Sequence, residues 1–137
     1  MNKGIIITLP RHDYVTEYIS QFSVNILKEA NKKNIKVKTL KDKKANRDEF
    51  EEVLKNLDYK MIIFNGHGSD TAIAGHKDSV IVESGVNDFL LKERITYARS
   101  CHAGKILGRE CMKNNKEGCF IAVFLSVYGF VNLMFMQ

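Results

Sequence analysis

A histidine and a cysteine, each in a turn that follows an apolar run, are the residues of this chain best suited to chemistry. His67 lies in the segment 62–69, IIFNGHGS, and Cys101 lies in the segment 95–104, ITYARSCHAG. A cysteine attacks as its thiolate, and a neighbouring imidazole can remove the thiol proton and later protonate a leaving group. The two residue types therefore predict a nucleophilic cysteine site.

The two side chains can cooperate only if the strands that precede them are neighbours. Parallel strands end at the same edge of a sheet, which is where open α/β folds bind ligands. We therefore expect His67 and Cys101 at one edge, with the backbone N–H groups of Gly68 and Cys101 as candidates for an oxyanion hole. A helix predicted to begin near Lys105 would favour the thiolate through its dipole. The chemistry requires no third residue, and the sequence points to no particular orienting acid.

Strand-like and helix-like segments alternate along the chain. Short apolar or alternating runs predict strands, and apolar residues that recur every three or four positions predict helices. Strands are predicted at Gly4–Leu9, Ile35–Leu40, Met61–Asn65, Arg94–Arg99 and Cys119–Leu125, with helices at about 13–33, from a cap at Asn46, at 87–92 and at 105–114, and a small hairpin at 72–82. This alternation predicts one α/β domain over residues 1–137, a three-layer sandwich with a mainly parallel sheet, doubly wound like flavodoxin.

The composition favours a folded globular domain over a nucleic-acid-binding or membrane-spanning protein. Hydrophobic residues make up 45% and charged residues 27%, which is typical of a folded globular domain. The net charge is +5, but the lysines are not interleaved with aromatic residues, so nucleic-acid binding is not expected. Three irregularly spaced cysteines without a secretory leader predict free thiols in the cytoplasm. The apolar stretch 119–136 contains Ser126, Gly129 and Asn132, which favours a buried strand over a membrane span.

Other sites are less well supported by the sequence. Cys101, His102, His67 and His76 lack the regular spacing of zinc motifs, so no metal and no cofactor are expected. Residues 66–69 could cradle a phosphate but lack the lysine of a P-loop, and a phosphate- or nucleotide-binding protein stays open as an alternative. Four other cysteines and histidines are interpreted as packing, surface or turn residues: Cys111, Cys119, His76 and His102.

The two turns together resemble the catalytic signature of the caspase-like cysteine peptidases, a group of caspases, metacaspases, legumains, gingipains, clostripain, separases and bacterial CHAT proteins. The segment 99–104, RSCHAG, is similar to the metacaspase cysteine turn, and the segment 65–68, NGHG, to the matching histidine turn. The resemblance covers about residues 4–124. It implies a caspase-like fold and hydrolysis of peptide bonds through a thioester acyl-enzyme. It also implies His67 as general base or acid, Cys101 as nucleophile, and the Gly68 and Cys101 amides as the oxyanion hole.

The sequence departs from this family after about residue 120. Relatives usually continue through a Gly-Tyr-like turn into a further strand that helps to build the substrate pocket, whereas an apolar tail follows Phe124 here. The domain is therefore predicted to be incomplete or altered in this region. A catalytically inactive caspase-like or flavodoxin-like protein-interaction module is the alternative. Many members are longer and carry partner domains, which leaves a homodimer or a partner domain open.

The substrate implied by the resemblance is a peptide or protein, but two sets of residues compete for its recognition. The turn after the first strand should lie beside the His67 turn, and caspase-like enzymes place specificity residues in this region. Arg11 could attract an acidic substrate residue, although a surface role at the start of a helix suits Arg11 and Asp13 better. Asp70 and Asp78 could instead favour a basic residue. The sequence leaves these alternatives open.

Overall fold

The structure of the protein is a computed structural model, which describes residues 4–113, 117–125 and 131–136. A six-stranded sheet forms its centre, with a two-stranded hairpin beside it. The sheet consists of β1 (Gly4–Leu9), β2 (Lys36–Lys41), β3 (Met61–Asn65), β6 (Ile95–Arg99), β7 (Cys119–Leu125) and β8 (Val131–Met136), and the hairpin of β4 (Ala72–Ala74) and β5 (Val80–Glu83). The strand order is β2-β1-β3-β6-β7-β8, and all neighbours are parallel except β7 and β8. These strands confirm the predicted α/β fold with a mainly parallel sheet.

The helices lie close to their predicted positions, with one division. They are α1 (Tyr14–Gln21), α2 (Ser23–Lys32), α3 (Arg47–Asn56) and α4 (Leu107–Met112), with 3-10 turns at Asp42–Lys44, His76–Asp78 and Asp88–Leu91. The single helix predicted over 13–33 is therefore two helices that meet at Phe22. The predicted cap of α3 is confirmed, because the Glu49 N–H donates to Asn46 Oδ1 at 2.9 Å.

Helices cover both faces of the sheet. Successive side chains of a strand point to opposite faces, and Ile63 and Phe64 of β3 show this division. Ile63 packs with Ile7 and with Ile26 of α2, whereas Phe64 belongs to the core formed with α3 and α4. The Phe64 and Phe50 rings lie 5.3 Å apart and both side chains are fully buried, a burial that stabilises the fold by about 1.5–3 kcal/mol per ring.

The carboxyl ends of β1 and β3 form the crevice at which the strand order reverses. The chain leaves β1 for β2 on one side and then crosses back to β3 on the other. Without the hairpin strands the order is 2-1-3-4-5-6, and its first five strands have the 2-1-3-4-5 order of flavodoxin-like sheets, which bind ligands at the reversal. Asn65 anchors this end of β3, since its Nδ2 donates to the Thr8 carbonyl at 2.8 Å and to Ser23 Oγ at 3.1 Å. These hydrogen bonds therefore fix the positions at which the turns after β1 and β3 begin.

The stretch after about residue 120 adds an edge strand to the sheet. β8 pairs antiparallel with β7, and Phe124 lies opposite Asn132. Asn114, Ser126 and Gly129, which also entered the sequence predictions, lie outside the described residues. In the ranges that the structure describes, no helix has the length and apolar character needed to cross a membrane.

Candidate active site

The histidine and cysteine turns touch each other at the carboxyl edge of the sheet. β3 and β6 are parallel neighbours, and their register pairs Asn65 with Arg99. Ser100 Oγ donates to the Gly66 carbonyl at 3.0 Å. A Cβ atom on Gly68 would lie 2.8 Å from the Cys101 carbonyl oxygen and 2.9 Å from Ser100 Cβ. Only a glycine lets the two turns approach this closely, so His67 and Cys101 lie on the same sheet edge.

An acid that the sequence did not single out orients His67. His67 Nε2 lies 2.7 Å from Asp13 Oδ2. Asp13 is the N-cap of α1, and its Oδ1 accepts hydrogen bonds of 2.8 Å from both the backbone N–H and the hydroxyl of Thr16. The Thr16 N–H first, and then the His67 ring, hold the pKa of the Asp13 carboxyl well below its usual range. The carboxylate is therefore ionised and can only accept, so Nε2 carries the proton of this bond.

This bond determines which nitrogen of His67 is free for proton transfer. In the neutral ring a proton on Nε2 leaves Nδ1 as the acceptor. Within the described ranges Asp13 is the hydrogen-bond partner of the His67 side chain, and the Cys101 thiol makes no direct bond to the ring. The proton transfer therefore requires a side-chain movement or a water between the two groups, and catalytic hydrogen bonds often form only when a substrate binds.

The two amides expected to bind an oxyanion are both free in the described part of the chain. The N–H groups of Gly68 and Cys101 donate to no acceptor there, whereas the next N–H, that of Ser69, bonds to the Ala72 carbonyl at 2.9 Å. Free N–H donors beside a nucleophile are what an oxyanion hole requires.

The same hydrogen bonds make a phosphate cradle less favourable. The Gly66 N–H donates to the Arg99 carbonyl at 3.4 Å, and Ser69 Oγ accepts the Ala72 N–H at 3.2 Å. Two of the four backbone N–H groups of residues 66–69, those of Gly66 and Ser69, are thus bonded within the fold. A P-loop, by contrast, directs its successive N–H groups to the phosphate.

The helix expected to favour the thiolate through its dipole begins two positions later than predicted. α4 begins at Leu107 rather than near Lys105, and residues 101–106 form turns. The N–H groups of Ile106 and Leu107 donate to the Asp70 carbonyl at 3.2 and 2.9 Å. The start of α4 is therefore six positions from Cys101 and already bonded. Its role is to attach the cysteine turn to the loop that follows His67.

The three cysteines differ in their surroundings. Cys101 is exposed, and Cys111 is buried in α4, where burial raises the pKa of its thiol to about 12. Cys119 is partly buried in β7. These positions agree with the packing roles predicted for Cys111 and Cys119 and leave Cys101 as the accessible thiol of the site.

The two residues considered for substrate recognition are placed differently. Arg11 binds Asp42 through two hydrogen bonds, from Nε at 3.0 Å and from Nη2 at 2.9 Å. It lines a cavity of about 170 Å³ whose lining includes neither His67 nor Cys101. Asp70 lies beside the cysteine turn, and its Oδ1 is 3.9 Å from His102 Nδ1. Asp70 thus lies close to the residue that follows the nucleophile, whereas Arg11 is engaged by Asp42.

A second histidine, His12, and Asp78, which the sequence suggested only for substrate recognition, extend the site. His12 Nε2 lies 3.1 Å from Asp78 Oδ1 and 3.6 Å from Asp13 Oδ2, and His67 Nε2 lies 4.0 Å from Asp78 Oδ1. Donor atoms of all four residues lie within 4.8 Å of one another. Of the cysteines and histidines weighed as zinc ligands from the sequence, this cluster contains only His67. The turn after β1 is the part of the sequence that could have indicated this cluster, because the pairing of β1 with β3 brings residues 12–13 beside His67.

No protein-family model matches the chain, and no curated protein matches it closely enough to indicate a relative. The function is therefore argued from the geometry of the site.

Proposed function

We propose that the chain is a caspase-like cysteine peptidase domain, with Cys101 as nucleophile and His67 as general base and acid. The observation that carries this proposal is the contact between the turns after β3 and β6, with His67 held by Asp13 at 2.7 Å. The similarity of both turns to those of the family supports the same assignment.

The proposed reaction begins with proton transfer from the Cys101 thiol to His67 Nδ1. The thiolate attacks the carbonyl carbon of a peptide bond, and the N–H groups of Gly68 and Cys101 bind the oxyanion that forms. The imidazolium then protonates the amine that leaves, and the acyl group remains on Cys101 as a thioester. His67 next removes a proton from water, and the resulting hydroxide attacks the thioester carbonyl carbon and displaces the Cys101 thiolate. The acid product leaves, and the imidazolium returns its proton to the thiolate. Proton transfer of this kind contributes about 10²–10⁴-fold to a rate.

Asp13 is the positioning residue of this mechanism. Its carboxylate fixes the His67 tautomer and stabilises the imidazolium that forms after proton transfer. Its side chain is 40% exposed, so water screens the charge. We therefore attribute more of its effect to orientation of the ring than to electrostatic energy.

Labelling with a thiol-directed peptide electrophile tests the proposal. We expect fast modification of Cys101 in the folded protein and loss of that reaction in His67→Ala. A peptide-library assay that compares wild type with Cys101→Ala then measures hydrolysis. Slow labelling of Cys101 that is unchanged in His67→Ala, together with no hydrolysis, would contradict the proposed function.

A protein-interaction module is the second candidate, and an exposed aromatic row favours it. Tyr14, Tyr18 and Phe22 are all exposed along α1 and its end, with ring centroids 6.4 and 5.4 Å apart along the row. Aromatic side chains in such a row are typical of binding surfaces. This candidate predicts that alanine at Tyr18 abolishes binding to a partner protein while Cys101 shows no enhanced reactivity.

A further inference from the structure

We propose that His12, Asp13, His67 and Asp78 form a binding site for a divalent transition-metal ion, with Zn²⁺ as the best match. The site lies in the crevice between the carboxyl ends of β1 and β3. Three separate segments converge there: residues 12–13 after β1, residue 67 after β3, and residue 78 in the connection of the hairpin.

The distances between donor atoms bracket those of tetrahedral coordination. One atom of each residue takes part: His12 Nε2, Asp13 Oδ2, His67 Nε2 and Asp78 Oδ1. The four imidazole-to-carboxylate distances are 2.7, 3.1, 3.6 and 4.0 Å. Bonds of about 2.0–2.2 Å to a tetrahedral ion place neighbouring donors about 3.3–3.6 Å apart. Side-chain shifts of less than about 1 Å would therefore bring the four atoms into that geometry.

The chemistry of the donors selects the class of metal. Two imidazole nitrogens and two carboxylate oxygens suit Zn²⁺ and similar ions, whereas Ca²⁺ and Mg²⁺ prefer oxygen ligands alone. The two carboxylates would neutralise the charge of the ion.

His12 provides an independent sign of a ligand site. Its side chain is only 10% exposed, and its Nε2 is directed into the cluster, where it faces Asp78 Oδ1 and Asp13 Oδ2. A nearly buried imidazole that faces two carboxylates is suited to hold a cation there.

Metal binding would compete with the proposed catalytic role of His67, and this consequence rests on the proposed function. An ion on Nε2 replaces the hydrogen bond to Asp13. The neutral ring then carries its proton on Nδ1, the nitrogen that would otherwise accept the Cys101 proton. A bound metal ion would thus prevent His67 from activating the Cys101 thiol.

Calorimetric titration of the full chain with Zn²⁺ tests the site directly. We expect one ion per chain, with affinity reduced at least about 100-fold in Asp78→Asn and in His12→Gln, because loss of a ligand should exceed the roughly 10–100-fold effect of a second-shell change. Asp70→Asn and His102→Gln are the matched controls and should bind like wild type. Equal affinity in wild type and Asp78→Asn, or weakening in the Asp70→Asn control to the same extent, would overturn the site. Circular dichroism of each variant checks that it is folded.

Cobalt spectroscopy separates this site from one that uses the cysteine. Co²⁺ should give the intense visible absorption of tetrahedral coordination without a sulfur charge-transfer band, and Cys101→Ala should bind it unchanged. A sulfur band, or loss of binding in Cys101→Ala, would contradict the proposed ligands. The metal site and the peptidase can be refuted independently. If no metal bound, labelling of Cys101 that depends on His67 in the presence of a chelator would still support the peptidase. Metal binding without such labelling would remove only the peptidase.

Discussion

Asp13 Oδ2 lies 2.7 Å from His67 Nε2, although the two residues are 54 positions apart in the chain. The parallel pairing of β1 and β3 brings them together, because each residue follows the carboxyl end of one of these strands. Asp13 therefore has two roles: it caps α1 through Thr16 and orients the imidazole. Substitutions at Asp13 can separate these roles.

Substitution of Asp13 by asparagine should impair the site and spare the helix. Asparagine caps a helix as well as aspartate does, whereas alanine costs about 0.5–2 kcal/mol. We expect Asp13→Asn to unfold at nearly the wild-type urea concentration. Its Cys101 labelling should slow at least about tenfold, short of the ~10⁴-fold loss seen where such an acid is buried.

The comparison with Asp13→Ala completes this test. The alanine variant should lose both stability and reactivity. Wild-type labelling rates in Asp13→Asn, measured in the presence of a chelator, would show that the carboxylate does not position His67.

Gly68→Ala should separate the two turns. The added Cβ would lie 2.8 Å from the Cys101 carbonyl oxygen, which belongs to the backbone and cannot rotate away. Overpacking of this kind costs about 1–3 kcal/mol. We expect lower stability in urea unfolding and slower labelling of Cys101. An alanine variant with wild-type stability and reactivity would mean that the turns are not held in contact.

Cys111 should react only when the protein unfolds. Burial raises the pKa of its thiol from the ordinary 9.0 to about 12, so the folded protein holds the proton that the unfolded chain releases. The stability that Cys111 contributes is therefore present in full below about pH 9 and declines as the pH rises toward about 12.

Mass spectrometry after labelling at about pH 8 checks this directly, since an unperturbed thiol is then partly ionised. Cys101 should be modified in buffer, and Cys111 only in urea. In alkaline urea titrations the free energy of unfolding of Cys111→Ala should fall less steeply with pH than that of wild type. Modification of Cys111 in the folded protein at the rate of Cys101 would show that α4 opens readily.

The bounds of the strands were predicted from the sequence more accurately than the contacts between side chains of the site. β3 and β7 have their predicted bounds because their apolar runs end at clear small or polar residues. The break between α1 and α2 was missed, because buried Ser23 looks like a solvent-facing residue until it bonds Asn65 and Arg99 from distant strands. Such bonds leave no periodic signal in the sequence.

The extended cluster was missed for a related reason. The contact between His12 and Asp78 spans 66 positions and depends on the conformation of the hairpin connection, which local patterns do not determine. The late start of α4 likewise follows from the Asp70 carbonyl, which accepts the first N–H groups of that helix. Tertiary hydrogen bonds, rather than propensity, set both features.

Arg11 should have little influence on substrate preference. Its guanidinium is engaged by both carboxylate oxygens of Asp42, whereas Asp70 lies beside the cysteine turn. In peptide-library profiling we expect Arg11→Gln to cleave the same sequences as wild type and Asp70→Asn to lose preference for basic residues. A shift away from acidic residues in Arg11→Gln would reverse the assignment. The exposed Arg11–Asp42 pair should contribute only about 0–1 kcal/mol to stability.

Zn²⁺ should slow the labelling of Cys101 without binding to it. The expected cause is occupation of His67 Nε2, which keeps the ring proton on Nδ1 and removes the base that activates the thiol. Asp78 and His12 belong to the metal cluster but not to the proposed catalytic groups, so Asp78→Asn should label at the wild-type rate in chelator and require far more Zn²⁺ for the same inhibition. Asp70 is another exposed acid between β3 and β6, and Asp70→Asn should be inhibited like wild type. If Zn²⁺ blocked labelling equally in wild type and Asp78→Asn, the ion would be acting on the thiol itself, and the coupling between the metal cluster and the cysteine would be wrong.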